Sequence, residues 1–96
     1  MTSKQRAYLR GLANSLQPIF QIGKGGLSDN LIKQLDEALE ARELIKVNVL
    51  ETAPEEIKVL GNKIAKSTNS FFVQAIGNKL TFYRANPKEP KIILPN

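Results

Sequence analysis

The run Phe71-Phe72-Val73-Gln74-Ala75-Ile76-Gly77-Asn78-Lys79-Leu80-Thr81-Phe82-Tyr83-Arg84 decides how the chain folds. Two stretches rich in aromatic and aliphatic residues, Phe71 to Ile76 and Lys79 to Arg84, flank Gly77-Asn78, a pair suited to the two-residue turn that closes a β-hairpin. A turn of that length sets Ala75 against Leu80 and Val73 against Phe82 on one side. On the other side Phe72 meets Tyr83 and Gln74 meets Thr81, and Arg84 ends the strand opposite Phe71. The first side is core. The second sets Phe72 beside Tyr83, either packed under a helix or open as a stacking platform.

Upstream of the hairpin, Thr52-Ala53-Pro54-Glu55 has the form of a capping box with proline in the first turn, and Ile57, Leu60, Ile64 and Ala65 continue a helix. Leu44 to Leu50 alternates as a strand should, with Ile45, Val47 and Val49 inward. Before that strand, Ser28 caps a helix with Asp29 in its first turn, a stripe of Leu31, Ile32, Leu35, Ala38 and Leu39, and several of the chain's acids outside. Ile19-Phe20-Gln21-Ile22, bounded by Pro18 and Gly23, suits a brief strand. Thr2-Ser3-Lys4-Gln5 is a second capping box, opening a helix from Ser3 to about Leu16 on which Tyr8, Leu9, Leu12, Ala13 and Leu16 share a face before Pro18. Downstream of the hairpin, Asn86 to Lys91 is turn-rich, and Ile92-Ile93-Leu94 is apolar enough to return to the body of the protein.

The order is α-β-α-β-α-β-β, an α/β chain of the α+β kind with a mixed four-stranded sheet covered by its helices. Residues 1–96 form one domain and one modest core. Strand order does not follow from the pattern.

Composition narrows the function classes. The chain is 42% hydrophobic and 24% charged, which is ordinary for a folded domain and too apolar for a disordered one. It contains no cysteine and no histidine. Disulfides and thiolate-held metals are thereby excluded, and the usual general base and every Ser-His or Cys-His pair are missing. No enzyme, cofactor, metal or small-molecule substrate is expected. The basic start is not followed by an apolar stretch, and no run approaches the roughly 18 residues of a membrane span, so a cytoplasmic location is the expectation. The net charge of +5 is unevenly spread: residues 1–26 carry +4, residues 27–56 carry −5 and residues 57–96 carry +6. If the two basic ends meet in space they favour a polyanion.

Gly23-Lys24-Gly25-Gly26 sits between a short strand and a helix start, where glycines let backbone amides approach phosphate and the helix dipole adds attraction. It is not a nucleoside-triphosphate loop, because the upstream glycine and the Ser or Thr after lysine are missing. It is not a dinucleotide fingerprint either, because Ser28 stands where the third glycine belongs. A G-x-x-G loop opening a helix does match the backbone clamp of KH-type RNA-binding modules.

Several ordered segments now fit together: Lys4-Gln5-Arg6-Ala7-Tyr8-Leu9-Arg10, Ile22-Gly23-Lys24-Gly25-Gly26-Leu27, Ala38-Leu39, Glu43-Leu44-Ile45-Lys46-Val47, Ile76-Gly77, Tyr83-Arg84 and Lys91-Ile92-Ile93-Leu94-Pro95. Together they resemble the CRM domain, in particular its bacterial stand-alone YhbY branch. The resemblance implies a fold similar to the C-terminal domain of translation initiation factor three, a KH-like G-x-x-G loop, and binding to ribosomal RNA in precursors of the large ribosomal subunit. Related plant domains act in group II intron splicing. Carried onto this chain, it implies RNA contacts at Gly23, Lys24, Gly25 and Gly26 and at the basic residues Lys4, Arg6, Arg10, Lys46 and Arg84. Asn14 and Arg42 stand where many relatives have histidine. A monomer is expected. The alternatives are a module that docks to a ribosomal protein or an assembly GTPase with little RNA affinity of its own, an RNA splicing cofactor, and an enzyme using Lys24 or the carboxylates, against which the lack of histidine and of clustered acids near the glycine loop argues.

Overall fold

The computed structural model describes residues 1–96, in the order α1 (Ser3–Ala13), β1 (Phe20–Ile22), α2 (Asp29–Arg42), β2 (Leu44–Val49), α3 (Ile57–Thr68), β3 (Phe71–Ile76) and β4 (Lys79–Tyr83). The four strands form one mixed sheet in the order β1-β2-β4-β3. β1 runs parallel to β2, while β4 is antiparallel to both β2 and β3.

Local chemistry sets most of these boundaries. The Thr2 hydroxyl accepts the Gln5 N–H at 3.1 Å, and the Gln5 side chain accepts from the Thr2 N–H at 3.1 Å, closing the expected capping box on α1. α1 stops at Ala13, short of Leu16, because the chain tightens into turns in which Asn14 and Leu16 donate to the carbonyls of Gly11 and Ala13 before Pro18. Ser28 caps α2 by accepting from Leu31 N–H. The second expected capping box does not form. α3 begins only at Ile57, behind Glu56, which makes no side-chain cap. Thr52 to Glu56 is instead a turn tied back by Ala53 N–H to Leu50 O, and Glu55 pairs with Lys63 at 2.7 Å.

The hairpin register also departs from the simple count. Ala75 faces Leu80 and Gln74 faces Thr81, as a two-residue turn requires, but Phe72 then faces Phe82 and Phe71 faces Tyr83. A β-bulge at Val73 inserts one unpaired residue into β3 and shifts everything beyond it. Val73 therefore lies on the face opposite Phe82. Phe72 stacks on Phe82, ring centroids 5.4 Å apart, on the main core side, while Tyr83 is buried on the other face. The two aromatics expected to sit together are separated by the sheet.

Each face has its own core. Ile22, Ile45, Val47, Val49, Leu80 and Phe82 pack against Leu35 and Leu39 of α2 and Leu60 and Ile64 of α3. α3 approaches β3 closely at Gly61, where a Cβ would fall 2.3 Å from the Phe72 ring. On the opposite face α1 supplies Leu9 and Ala13 against Leu44, Val73 and Tyr83, with Ile92 and Leu94 of the returning tail beside them.

Glu43 fastens that second core. It ends α2 with φ of 67°, a conformation costly for a side-chain-bearing residue, and it is almost fully buried. Its carboxylate accepts the N–H groups of Asn86 at 2.6 Å, Lys91 at 2.6 Å and Ile92 at 2.8 Å, so one side chain ties the tail at three points. Burial alone pushes the Glu43 carboxyl up, but the three donated N–H groups and the Lys91 ammonium outweigh it and leave the pKa below the ordinary 4.5. Tyr83 moves the other way, raised above 10.0 by burial and by the Glu43 charge.

A lowered carboxyl contributes stability above its unfolded pKa and loses it as pH falls through the folded value. Thermal unfolding followed from pH 7 downward should therefore weaken below about pH 4.5. The Glu43→Gln variant should show a shallower acid limb, because it has no charge to lose. Glu43→Ala, which leaves three N–H groups without their acceptor, should lose about 2–4 kcal/mol in urea at pH 7.

Candidate functional site

The two ends of the sheet carry different chemistry. At one end lie Glu43, the tail and Arg84. At the other lie the Gly23–Gly26 turn, the Leu50–Glu56 connection and the Gly77-Asn78 hairpin turn, because β1 and β2 finish where β4 begins. Leu50 N–H donates to Ile22 O at 2.8 Å and Val49 N–H to Asn78 O at 2.7 Å, binding those loops together.

Gly26 N–H donates to Gly23 O at 2.9 Å, so the four residues form one tight turn with Lys24 and Gly25 at its tip. The glycines have separate causes. A Cβ on Gly23 would meet Leu50 Cδ1 at 3.3 Å. Gly26 has φ of 67°, and its Cβ would meet Pro54 at 3.1 Å. Both are thus demanded by the β2–α3 connection packed behind the turn. Gly25 has nothing within 4 Å of a notional Cβ and needs no positive φ, so no contact within the protein explains it. A bare backbone there, exposed beside Lys24 and ahead of the α2 N-terminus, leaves room for a ligand to approach the amides.

Between this turn and α1, the second face of the sheet is uncovered by any helix. Its rows read Lys46, Thr81 and Gln74, with Thr81 buried between its neighbours, and then Gln21, Asn48, Lys79 and the exposed Ile76. Lys24, Lys46 and Lys79 have no ion-pair partner, and neither do Lys4 and Arg10; the ion pairs of the chain are those of Lys63 and Arg84. The Asn48 amide oxygen is shielded from solvent and unbonded.

The nine residues expected to bind are not all alike in their setting. Gly23 to Gly26 and Lys46 share the uncovered side. Arg6 is committed elsewhere: its guanidinium donates to the carbonyls of Phe72 at 3.0 Å and Val73 at 2.9 Å, satisfying the β3 bulge. Arg10 lies one turn further along α1 on the same flank, exposed and free to reach over the polar rows. Lys4 is exposed on α1.

Arg84 is ion-paired within the protein. Its guanidinium donates to Asp36 Oδ1 at 2.6 Å, Thr68 O at 2.7 Å and Asp36 O at 3.0 Å, and Glu40 lies at 3.4 Å. It ties β4 to α2 and α3 at the opposite end of the sheet, about 16 Å of strand from Lys79. The resemblance points to Arg84 as a contact, and within the protein its guanidinium is held by the acids of α2. Gln21, Asn48 and Lys79 come into one row only through the pairing of three strands, which their spacing in the sequence does not show.

No cluster of His, Cys, Asp or Glu is placed to hold a metal ion, and no helix is long and apolar enough to cross a membrane. Fold and site together define an α+β domain that offers a glycine turn and unpaired lysines on one side of a mixed sheet. The profile of the CRS1 / YhbY (CRM) domain matches residues 1–84, and this chain belongs to that family. It is 47% identical over 95 residues to Probable RNA-binding protein YqeI of Bacillus subtilis (strain 168), covering 99% of both chains. It is 37% identical to a protein of Haemophilus influenzae named RNA-binding protein, covering 99% of this chain and 95% of that one. Among solved structures, that of hypothetical protein SAV1595 from Staphylococcus aureus superposes with a TM-score of 0.83 at 47% identity over 99% of each chain.

The different causes of the glycines are separable by experiment. Gly26→Ala should cost about 1–2 kcal/mol in urea unfolding, from the left-handed backbone. Gly25→Ala should leave stability within about 0.5 kcal/mol of the parent or raise it slightly.

Proposed function

We propose that this chain binds RNA, holding the strand's backbone at the Gly23–Gly26 turn and its phosphates at the unpaired lysines of the uncovered sheet face. The observation that carries this reading is the tip of the turn. Gly25 has no reason internal to the protein, and it sits beside Lys24 at a strand-to-helix junction. Backbone amides there can meet phosphate oxygens without a side chain intervening. Lys24, Lys46 and Lys79 then supply charge along one side, with Arg10 and Lys4 on α1 extending it. Membership of the CRM family and the names of its relatives support RNA as the partner.

The setting implied by the resemblance is ribosomal RNA within precursors of the large ribosomal subunit, where the protein assists assembly by binding and assigns no catalytic step to itself. A domain that grips backbone reads shape and accessibility more than base edges. That suits RNA segments exposed during assembly and buried afterwards.

Replacing Lys24 and Gly25 together with aspartate should abolish binding to ribosomal RNA fragments in a gel-shift or anisotropy assay while the circular dichroism spectrum stays unchanged. With about four to six phosphates neutralised, log affinity against log salt should slope near −3 to −4 for single strands. A slope near zero would mean that the partner is a protein instead. In gradients of cell extract at low salt, the protein should travel with immature large subunits and leave the mature particle. Its presence only in free fractions, or equally on small subunits, would reject the assembly role.

A further inference from the structure

Two aromatic rings of the chain are exposed, Tyr8 on α1 and Phe71 on β3. Phe71 pairs with Tyr83, next to Arg84, whose charge is taken up by Asp36 and Glu40. Tyr8, 44% exposed, stands instead among cations that form no ion pair. Lys4 lies one helical turn before it on the same side of α1, about 6 Å along the axis, and Arg10 projects from the other flank towards the uncovered sheet face. An exposed ring beside unpaired positive charge is the arrangement on which a single-stranded nucleic acid stacks a base while its phosphates are held.

The helix surface between these groups leaves room for a strand to cross. Gly11 is exposed on the outward side of α1, between the Arg10 and Tyr8 flanks, with the exposed Ala7 one turn before it. A glycine inside a helix weakens it, and nothing lies within 4 Å of a notional Cβ at Gly11 to demand one. The result is a low crossing place with Arg10 on the sheet side and Lys4 and Tyr8 on the other. An RNA strand that runs along the uncovered face can pass over α1 there, its phosphates bracketed by Arg10 and Lys4, and bring one base flat against the Tyr8 ring.

We propose that Tyr8 is a stacking site for one base of a single-stranded RNA segment, an inference that rests on the RNA-binding reading above. The glycine turn and the uncovered strands offer amides and charge with no exposed ring among them. Tyr8 is therefore the contact that separates a single strand, whose bases are free to stack on protein, from a duplex, whose bases are already stacked on one another. Every base has a π-face, so the site adds affinity with little sequence preference.

The chain has two tyrosines and no tryptophan, and Tyr83 is buried, so a ligand-dependent change in tyrosine emission reads Tyr8. Oligo(A) should quench that emission as it binds at low salt. In anisotropy titrations, Tyr8→Ala should weaken oligo(A) binding about tenfold, the scale of one lost base–ring contact, with an unchanged urea midpoint. Tyr8→Leu keeps apolar bulk without a ring and should be as weak as Tyr8→Ala, whereas Tyr8→Phe should restore affinity to within about twofold of the parent. Oligo(A) affinity that survives Tyr8→Ala, rescue by Tyr8→Leu, or binding that leaves the emission unchanged would overturn the stacking site alone. Failure of the parent protein to bind either oligo(A) or an RNA duplex would overturn the RNA-binding reading with it.

Discussion

Glu43 is the residue through which the chain's distant parts are joined. It stops α2, starts β2, receives the Arg84 N–H on its backbone carbonyl at 2.9 Å and holds three tail amides on its carboxylate. A buried charge is tolerated only when its acceptor positions are filled, and here N–H groups of the protein fill them. The tail then lays Ile92 and Leu94 against Leu9, Ala13 and Leu44, which fixes α1 on the second face of the sheet. The Arg6 bonds to β3 and the Gln5 bond to Pro95 O add to that anchor in holding α1 and the tail together.

Because α1 and the tail are held at the Glu43 end, the other end of that face stays open. The division follows from length: α1 contributes 11 residues and packs on Leu44, Tyr83 and the bulged Val73 but not on the rows beyond. α2 and α3 are spent on the opposite face, where they bury the larger core. What remains uncovered carries Lys46 and Lys79 among polar side chains, with the exposed Ile76 at its β3 edge, and it lies at the glycine-turn end of the sheet. One constraint at one end of the sheet thus produces a free surface at the other.

Charge is sorted in the same way. The acids of α2 do not merely face solvent. Asp36 and Glu40 bind Arg84, and backbone carbonyls at the end of the helix receive the Asn86 side chain and the Lys91 ammonium. These contacts remove C-terminal bases from the pool available to a polyanion. The basic residues left unpaired include those of α1, the turn and the uncovered strands. A basic net charge by itself would not have distinguished the two groups, since an arginine bonded to two acids and a lysine facing water count equally.

Local chemistry in the sequence determined the elements and the glycine turn. Period-two and helical patterns, the Thr2 and Ser28 caps and the Gly77-Asn78 turn act over a few residues and are legible without the rest of the chain. The order of elements, the inward faces of Ile45, Val47 and Val49, and the setting of Gly23 to Gly26 between strand and helix followed from them. The failures share a physical cause. The Val73 bulge depends on Arg6, 67 residues away, satisfying its carbonyls. The capping box at Thr52 gave way because that segment packs behind Gly23 and Gly26, and the pairing of Arg84 with Asp36, 48 residues earlier, is equally invisible in the sequence. Only tertiary structure decided those outcomes, together with the strand order and the row of Gln21, Asn48 and Lys79, because each is a competition for hydrogen bonds or space between groups that sequence distance keeps apart and folding brings into contact.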